Sequence, residues 1–597
     1  MSEPTVVASP DAGPPFANEP SVPSSKQPGL RAAWQIWTNR IFTMREDRFF
    51  LFLAVLIGVL SGLAVVCFRI AIEWTQIELL GSSISPSFPR VIFAPTLAGF
   101  AVALLVIYAF PRARGSGVNQ TKSAVYVSNG YIPFNTVVGK FITCALAIGS
   151  GQSLGPEDPS LQMGAGIASL IGRRLRLSQE KVRLIAPVGA AAGLAAAFNA
   201  PISAVLFVLE EVIGTWSAGV LGAIVLAAIS SVVTMRAFLG PESMFRVPPF
   251  RVAKPADMLA YVALGVVGGL ASLVFLKWLA YARPRIQSLP RWTEHFQPAA
   301  AGLLIGIIGI RLPQVMGAGY PFIDQAMHGQ FTWKLLLALA ALKILATGFS
   351  FLSGTPGGMF APRLFIGAML GGAVGAIEQH FFPALPGTVG TFALVGMGTF
   401  FAGFLRTPIT AVFMVIEVSG NYTAILPVMI SSLIAYGISR SYIKVPLFDL
   451  LARQDGLVLP SVEERREQLI LTVEDAMRVD AALVLEPGDQ VTEGIKRLEG
   501  KESLLCFLRA RPGEWNFIER SELQRLAADG SQTHTAAELR FKGPLPFVFR
   551  DMSLEEALHW AGDWPALPVL SRADLSKLEG LVTLDDILKA FRKVPVS

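Results

Sequence analysis

The sequence predicts a polytopic α-helical membrane protein, on the basis of its composition, its long apolar segments and an internal repeat. Of the 597 residues, 52% are hydrophobic and only 16% are charged, whereas soluble domains carry about 25% charged residues. Apolar runs follow one another from about residue 48 to residue 443. Several of them, such as 49–68 and 256–282, reach the roughly 20 residues that a helix needs to cross a bilayer.

Shorter apolar runs are interrupted by glycine and proline, at 134–149, 158–172, 388–403 and 406–419. Such segments suit tilted or broken helices inside a protein, where irregular backbone can find hydrogen-bond partners. We therefore expect a transmembrane domain over 31–450. It follows a Pro/Ser-rich tail at 1–30, which we expect to be disordered and cytosolic.

The net charge of +6 is carried in part by basic segments that flank the apolar runs, at 171–183 and 440–446. Lys and Arg in these positions are typical of cytoplasmic flanks of membrane helices. We therefore expect no nucleic-acid partner. The cysteines Cys67, Cys144 and Cys506 are odd in number and far apart, so they predict neither a disulfide framework nor a metal site.

The membrane part contains an internal repeat. At an offset of 207 residues, 188–210 align with 395–417, and nine of these 23 positions are identical. A neighbouring window, 155–165, aligns with 358–368 at the similar offset of 203. Two adjacent windows with nearly one offset predict that the membrane domain consists of two related halves.

Three helix starts in this frame are rich in glycine and proline, at 113–119, 153–159 and 354–362. The free N–H groups and the positive dipole of such a helix end form an anion site. Duplicated halves with interrupted helices also point to a transporter site near the bilayer midplane. Glu157 and Asp158 open the second helix inside an apolar region, so we interpret Glu157 as an anion that belongs in an anion site.

With these segments in view, the sequence resembles the CLC family of chloride channels and chloride/proton antiporters, over about 48–450. The family motif GSGIP appears as GSGVN at 115–119, G(K/R)EGP as GPEDP at 155–159, and GxFxP as GMFAP at 358–362. The stretch FNAP…EEV at 198–212 also matches. The resemblance implies two inverted-topology repeats with broken, tilted helices.

The resemblance also implies roles for individual residues. Glu157 matches the gating glutamate, and Glu211 matches the proton-transfer glutamate of many antiporters. The hydroxyl of Ser116 and the backbone N–H groups of Met359 and Phe360 would bind the central chloride. These positions are the expected transport site.

Several residues depart from the family pattern. Pro156 replaces a basic residue, Asn119 replaces a proline, and Phe448 stands where a tyrosine hydroxyl touches the central anion. We expect Phe448 to face the pore and to leave the anion with one hydrogen bond fewer. Asp158, in place of a glycine, either adds negative charge beside the gate or caps a helix.

Four residues are interpreted from the repeat or from the resemblance. Lys140 matches a basic residue that favours anions electrostatically. Glu210 and Glu417 are repeat counterparts, so a role in the fold and a role in transport are both open for them. Glu211 has Val418 as its counterpart, and an acid present in one half only favours a function.

The region 451–597 is more polar. Residues 548–591 predict the order helix, strand, strand, helix and resemble a CBS motif, with Thr583 and Asp586 in its G-x-x-T-x-x-D element. A divergent copy at about 470–525 would complete a cytosolic α/β CBS pair. Such pairs often bind adenine nucleotides, so we expect either a nucleotide at Thr583 and Asp586 or a purely structural pair at a dimer interface.

The leading expectation is therefore a secondary-active chloride/proton antiporter, not an enzyme, that forms a homodimer in a bacterial plasma membrane with both termini cytoplasmic. The alternative is a passive chloride channel of the same fold, favoured if Glu211 is not a proton relay. A serine hydrolase, suggested by GSGQS at 149–153, is discounted because the histidines of the membrane region lie in or near polar breaks. A primary pump is disfavoured because the sequence has no phosphate-binding loop motif.

Overall fold

The computed structural model describes residues 46–81, 88–214, 218–241, 244–245, 258–381, 388–457, 459, 471–479, 482–490, 496, 505–511, 514–519, 525, 535, 544–572 and 574–593. The tail predicted at 1–30 lies outside these residues. The last helix of the membrane part ends at Gln454, so this helix crosses the predicted domain boundary at residue 450.

The membrane part is built from helices joined by short connections. Its first half contains α1 (Glu46–Leu80), α2 (Phe88–Leu104), α3 (Val118–Val127), α4 (Phe134–Gly149), α5 (Glu157–Arg174), α6 (Gln179–Phe198), α7 (Pro201–Phe207) and α8 (Ala218–Leu239). Helices α2 and α7 continue into π-helical turns at Leu105–Ala109 and Val208–Ile213. Short 3-10 turns occupy Pro111–Ala113, Arg291–His295, Pro313–Val315 and Tyr422–Ala424.

The second half contains α9 (Met258–Gln287), α10 (Gln297–Arg311), α11 (Tyr320–Met327), α12 (Trp333–Leu352), α13 (Phe360–Phe381), α14 (Val389–Leu405), α15 (Pro408–Ser419), α16 (Ile425–Tyr442) and α17 (Leu447–Gln454). Among the described residues, eight helical segments are long and apolar enough to cross a membrane by length and composition. The predicted class, a polytopic α-helical membrane protein, is confirmed. The shorter helices α4, α5, α14 and α15 coincide closely with the four interrupted runs.

The repeat is visible in contacts between equivalent residues. Gly155 and Gly358, which occupy the same position in the two halves, pair as an isolated antiparallel bridge. Each N–H donates to the carbonyl of the other over 2.8 Å. Gly155 and Gly358 are equivalent residues of the two halves, and they exchange the same pair of hydrogen bonds. This arrangement is the one expected when a pseudo-two-fold axis that relates the halves passes between them.

Glu210 and Glu417 repeat this reciprocity. Glu210 accepts from the backbone N–H of Thr410 at 2.9 Å, near the start of α15. Glu417 accepts from the N–H of Ser203 at 2.7 Å, near the start of α7. Each carboxylate therefore caps a helix of the opposite half, where the first N–H groups have no partner within the helix. The role in the fold, which the sequence left open, is the one that the contacts support.

Lys140 also has a counterpart in the other half. Its buried ammonium donates to the carbonyls of Ala113 at 2.9 Å and Gly115 at 2.6 Å. Lys343, at the same offset of 203, donates to the carbonyls of Val315 at 2.9 Å and Gly317 at 2.7 Å. Each lysine donates hydrogen bonds to the loop that precedes a short helix of its own half. Lys140 therefore has at least this structural role.

Glycines allow the closest helix crossings. A Cβ on Gly164 of α5 would lie 2.1 Å from the carbonyl oxygen of Gly189 on α6. In the second half, a Cβ on Gly367 of α13 would lie 2.4 Å from the carbonyl oxygen of Gly396 on α14. Small residues at these crossings let the backbones approach, as is common in membrane helix packing.

The C-terminal region contains two three-stranded sheets of the same topology. The first has β1 (Ala482–Leu485) parallel to β2 (Leu505–Arg511), which is antiparallel to β3 (Glu514–Glu519). The second has β4 (Val548–Phe549) parallel to β5 (Leu567–Leu570), which is antiparallel to β6 (Leu578–Val582). The helix Leu554–Ala561 precedes β5, and the helix Leu584–Lys593 follows β6. The predicted order helix, strand, strand, helix is therefore confirmed, and the strand β4, which was not predicted, precedes it.

Candidate functional site

The three glycine- and proline-rich motifs meet at one place in the membrane domain. The second and third motifs are joined by the Gly155–Gly358 bridge. The N–H of Gly357 donates to the carbonyl of Gly115 in the first motif at 3.4 Å. Gly117 has a φ of 120°, which favours glycine, and a Cβ there would lie 2.6 Å from the carbonyl oxygen of Asp158. The three motifs are therefore far apart along the chain but in direct contact in the structure.

Glu157 lies in the first turn of α5 but binds the start of α13. Its side chain is fully buried, and Oε2 accepts from the N–H of Ala361 at 3.3 Å. Within the described residues, Oε1 has no hydrogen-bond partner. The carboxylate therefore occupies the kind of position that a helix N-terminus offers to an anion.

Asp158 binds the same helix start one step earlier. Its Oδ2 accepts from the N–H of Met359 at 3.0 Å, and its side chain is also fully buried. Of the two roles considered for Asp158, this bond corresponds to helix capping, although the capped helix belongs to the other half. The expectation that the N–H of Met359 is available to chloride needs correction, because in this conformation Asp158 already accepts from it.

Ser116 is fully buried between two glycines with positive φ, Gly115 at 86° and Gly117 at 120°. Its hydroxyl donates to Oδ1 of Asn119 at 3.4 Å. A proline at position 119 would have no such acceptor, so the departure from the family motif gives Ser116 an intramolecular partner. This bond is long, and exchanging it for a bond to an anion would cost little.

Phe360 belongs to an aromatic cluster, and Phe448 shares a neighbouring cation with it. Phe360 is the first residue of α13, and its ring centroid lies 4.9 Å from that of Phe207 and 5.2 Å from that of Phe401. Phe448 is buried in the first turn of α17. The guanidinium carbon of Arg363 lies 5.4 Å from the ring centroid of Phe360 and 5.9 Å from that of Phe448, so one cation lies beside both predicted chloride-site residues.

Glu211 is part of a buried ionic cluster. The ammonium of Lys122 donates to Oε1 of Glu211 at 2.8 Å and to Oδ1 of Asp449 at 2.5 Å. The side chains are 0%, 5% and 6% exposed, respectively. Glu211 lies in the π-helical turn Val208–Ile213, a rare geometry that occurs frequently at functional sites. The predicted proton-transfer acid therefore shares its cation with a second carboxylate.

A cavity of about 810 Å³ adjoins the first motif. Its lining includes Gly115 and Asn119, on either side of Ser116, and Gln162 of α5. Two ion pairs stand in its wall, Arg114 with Glu294 at 2.9 Å and Arg283 with Asp455 at 2.7 Å. The cavity offers an approach to the loop that carries Ser116.

Thr583 and Asp586 bind each other and a cation of the same region. The hydroxyl of Thr583 donates to Asp586 at 2.6 Å, and the guanidinium of Arg478 donates to Asp586 at 2.9 Å and 2.5 Å. Partial burial alone would raise the pKa of Asp586, but the bonds from Arg478 and Thr583 outweigh it and lower that pKa below its usual value. Both predicted nucleotide ligands therefore already have intramolecular partners.

Comparison with known proteins agrees with this geometry. The family model described as voltage gated chloride channel matches residues 98–440. An H(+)/Cl(−) exchange transporter ClcA from Vibrio campbellii is 32% identical over 415 residues, which cover 67% of this chain and 88% of that protein. The chain therefore belongs to the CLC family.

Two solved structures resemble the fold. The crystal structure of a slow cyanobacterial Cl−/H+ antiporter superimposes with a TM-score of 0.64 at 23% identity, over 69% of this chain and 99% of that one. The crystal structure of a eukaryotic CLC transporter superimposes with a TM-score of 0.59 at 19% identity, over 90% of this chain and 97% of that one. At these identities the comparison supports the fold alone.

Sequence reasoning missed three charged residues of this site: Lys122, Arg363 and Asp449. Each carried a signal. Lys122 lies three residues after the end of the first motif, Arg363 directly follows the third, and Asp449 is adjacent to Phe448. A charge within a membrane segment is a functional hypothesis by default, and applying that rule beyond the motifs would have identified all three.

We predict that Lys122→Met lowers the free energy of unfolding by about 3–5 kcal/mol, because removing one partner of a buried ion pair leaves its acids uncompensated. Denaturant titration of the detergent-purified protein measures this change. Adding Glu211→Gln and Asp449→Asn to Lys122→Met should recover most of the loss, whereas Lys444→Met, at an exposed lysine, should cause none. Unchanged stability in Lys122→Met would contradict the cluster.

Proposed function

We propose that the protein is a secondary-active chloride/proton antiporter, with Glu157 as its gating and proton-carrying glutamate. The observation that carries the proposal is the placement of Glu157. Its buried carboxylate accepts an N–H at the start of α13, and Oε1 has no hydrogen-bond partner among the described residues. The gate itself therefore lies where a small anion would bind.

This placement gives a mechanism for exchange. When Glu157 is ionised, its carboxylate and chloride compete for the same helix end, because both are anions that need N–H donors in a region that water does not solvate. When Glu157 takes up a proton, its attraction to the helix dipole falls and chloride can replace it. One cycle of leaving and returning moves a proton one way and chloride the other.

The anion route leads from the cavity beside the first motif to the start of α13. Ser116 can release Asn119 and donate its hydroxyl to chloride, and the N–H of Phe360 lies at the helix end that Glu157 occupies. Phe448 adds a buried ring beside them but no donor. The residues fit a small monatomic anion, which needs several converging donors and little space.

The proton route begins at Glu211. The ammonium of Lys122 donates to the carboxylates of both Glu211 and Asp449, so these three buried groups form one hydrogen-bonded cluster. We propose that this cluster, rather than Glu211 alone, receives protons from the cytosol and passes them towards Glu157.

The similarity to the Vibrio campbellii ClcA, named as an H(+)/Cl(−) exchange transporter, supports the same activity here. We also propose a homodimer in a bacterial plasma membrane, with both termini in the cytoplasm. The C-terminal sheets would form the cytosolic CBS pair. Because Arg478 and Thr583 already bind Asp586, we favour a structural role for this pair over binding of an adenine nucleotide.

We predict that Glu157→Gln or Glu157→Ala leaves chloride movement intact and abolishes proton coupling, because a neutral side chain cannot carry the proton. Chloride efflux and proton uptake of the purified protein in vesicles measure the two fluxes together. The adjacent acid provides the control, since Asp158→Asn should keep measurable coupling. Uphill proton movement in Glu157→Gln would show that another residue is the gate.

We predict that Glu211→Gln abolishes proton flux while chloride continues to move. The same vesicle assay tests this variant, and Glu210→Gln is the matched control. Glu210 is adjacent in sequence but caps Thr410, so its substitution should reduce stability and leave the ratio of proton to chloride flux unchanged. Normal proton flux in Glu211→Gln would show that Glu211 is not the relay, and loss of proton flux in Glu210→Gln would favour Glu210 in that role.

A further inference from the structure

Arg363 is a buried cation that the repeat and the mechanism above leave unexplained. It lies in the first turn of α13, directly after the third motif, and its side chain is fully buried. Within the described residues, none of its three guanidinium nitrogens has a hydrogen-bond partner. A guanidinium presents five N–H donors, so a whole set of buried donors is available here.

The groups around Arg363 compensate its charge only in part. Its guanidinium carbon lies 4.7 Å from the ring centroid of Phe404 and 5.4 Å from that of Phe360. Cation–π attraction to aromatic rings is weaker than the cost of removing a cation from water. Aromatic packing alone therefore does not account for a charged residue at this position.

Helix stability does not account for it either. The N-terminal end of a helix carries a partial positive charge, so a cation in its first turn is unfavourable. The carboxylates of Asp158, Glu157 and Glu211 attract Arg363 electrostatically. Asp158 and Glu157 nevertheless accept hydrogen bonds from the N–H groups of Met359 and Ala361, and Glu211 accepts from Lys122. A positive helix end and an unbonded guanidinium thus coincide beside Phe448, where the family pattern would place a donor.

We propose that Arg363 binds the transported anion directly, with its guanidinium beside Phe360 and Phe448 supplying the donors that Phe448 lacks. The ligand is a small inorganic anion of the halide class. This inference rests on the proposed function, because it requires that an anion pass the start of α13. It also changes the expectation from the sequence that Phe448 leaves the central anion with one hydrogen bond fewer.

The rival explanation is that Arg363 only neutralises Asp158. The two roles differ in what happens when both charges are removed. If Arg363 compensates Asp158, the double variant Arg363→Met/Asp158→Asn restores the balance of charge and with it the affinity for chloride. If Arg363 donates to the anion, the double variant still lacks the donors and binds as weakly as Arg363→Met.

The test is a chloride titration of the purified full-length protein by calorimetry, with the chloride dependence of the thermal midpoint as a second readout. We expect Arg363→Met to bind chloride about ten- to a hundredfold more weakly than the unsubstituted protein, the loss typical of a hydrogen bond to a charged group. The chloride affinity of Arg363→Lys should lie between those of Arg363→Met and the unsubstituted protein. Because a ligand stabilises only the state that binds it, chloride should raise the thermal midpoint of Arg363→Met less.

Lys343→Gln is the matched control, since it removes a buried cation that donates to carbonyls of the second half. It should keep the chloride affinity. Absence of chloride binding by the unsubstituted protein would refute the proposed function itself. Binding by the unsubstituted protein and equally tight binding by Arg363→Met, or recovery of affinity in the double variant, would overturn the role of Arg363 alone.

Discussion

The free N–H groups at the starts of the broken helices are the constraint on which the rest of this structure depends. Inside a bilayer no water can accept from them, so each start needs an acceptor from the protein or an anion. Three of these starts receive carboxylates from the opposite half of the repeat. Glu210 serves α15, Glu417 serves α7, and Glu157 and Asp158 serve α13.

Some of these caps occur in both halves and others in one half only. This difference distinguishes the caps with a structural role from those to which we assign a role in transport. Glu210 and Glu417 each cap a helix of the opposite half, so their contacts are reciprocal, like the Gly155–Gly358 bridge. Such reciprocal contacts hold the two halves together. Glu157 and Asp158 have no acidic counterparts, because positions 360 and 361 in the second half are Phe and Ala. A cap that exists on one side only can be displaced without loosening the pseudo-symmetric frame.

The same reasoning applies to the buried cations. Lys140 and Lys343 occur in both halves and bind loop carbonyls. The repeat counterpart of Arg363, at the offset of 203, is Ser160. The loop before Lys122 matches the second half at an offset of 202, which places the acid Asp324 opposite Lys122. Lys122 and Arg363 are thus cations of one half only, and they lie beside the acid expected to pass protons and the rings expected to line the chloride site. The charged residues to which we assign roles in transport are therefore found where the two halves of the repeat differ.

Much of this was predictable from the sequence. Composition and apolar length identify the membrane class, and the offset repeat places the reciprocal glycines and glutamates in equivalent positions. The motifs correctly bring Gly115, Gly155 and Gly358 together. The partners of Asp158 and Glu211 were not predictable, because Met359 and Lys122 are far from them along the chain and meet them only when the halves pack. The bond between Ser116 and Asn119 is local, yet it depends on a loop geometry that two glycines with positive φ create.

The most direct test of the central claim is proton movement driven by chloride. The purified protein is reconstituted in vesicles with a chloride gradient and no proton gradient, the membrane potential is clamped, and the internal pH is followed. The account predicts that protons move against their own gradient, in the direction opposite to chloride. Chloride movement with no accompanying proton movement would contradict antiport and identify a passive chloride channel of the same fold.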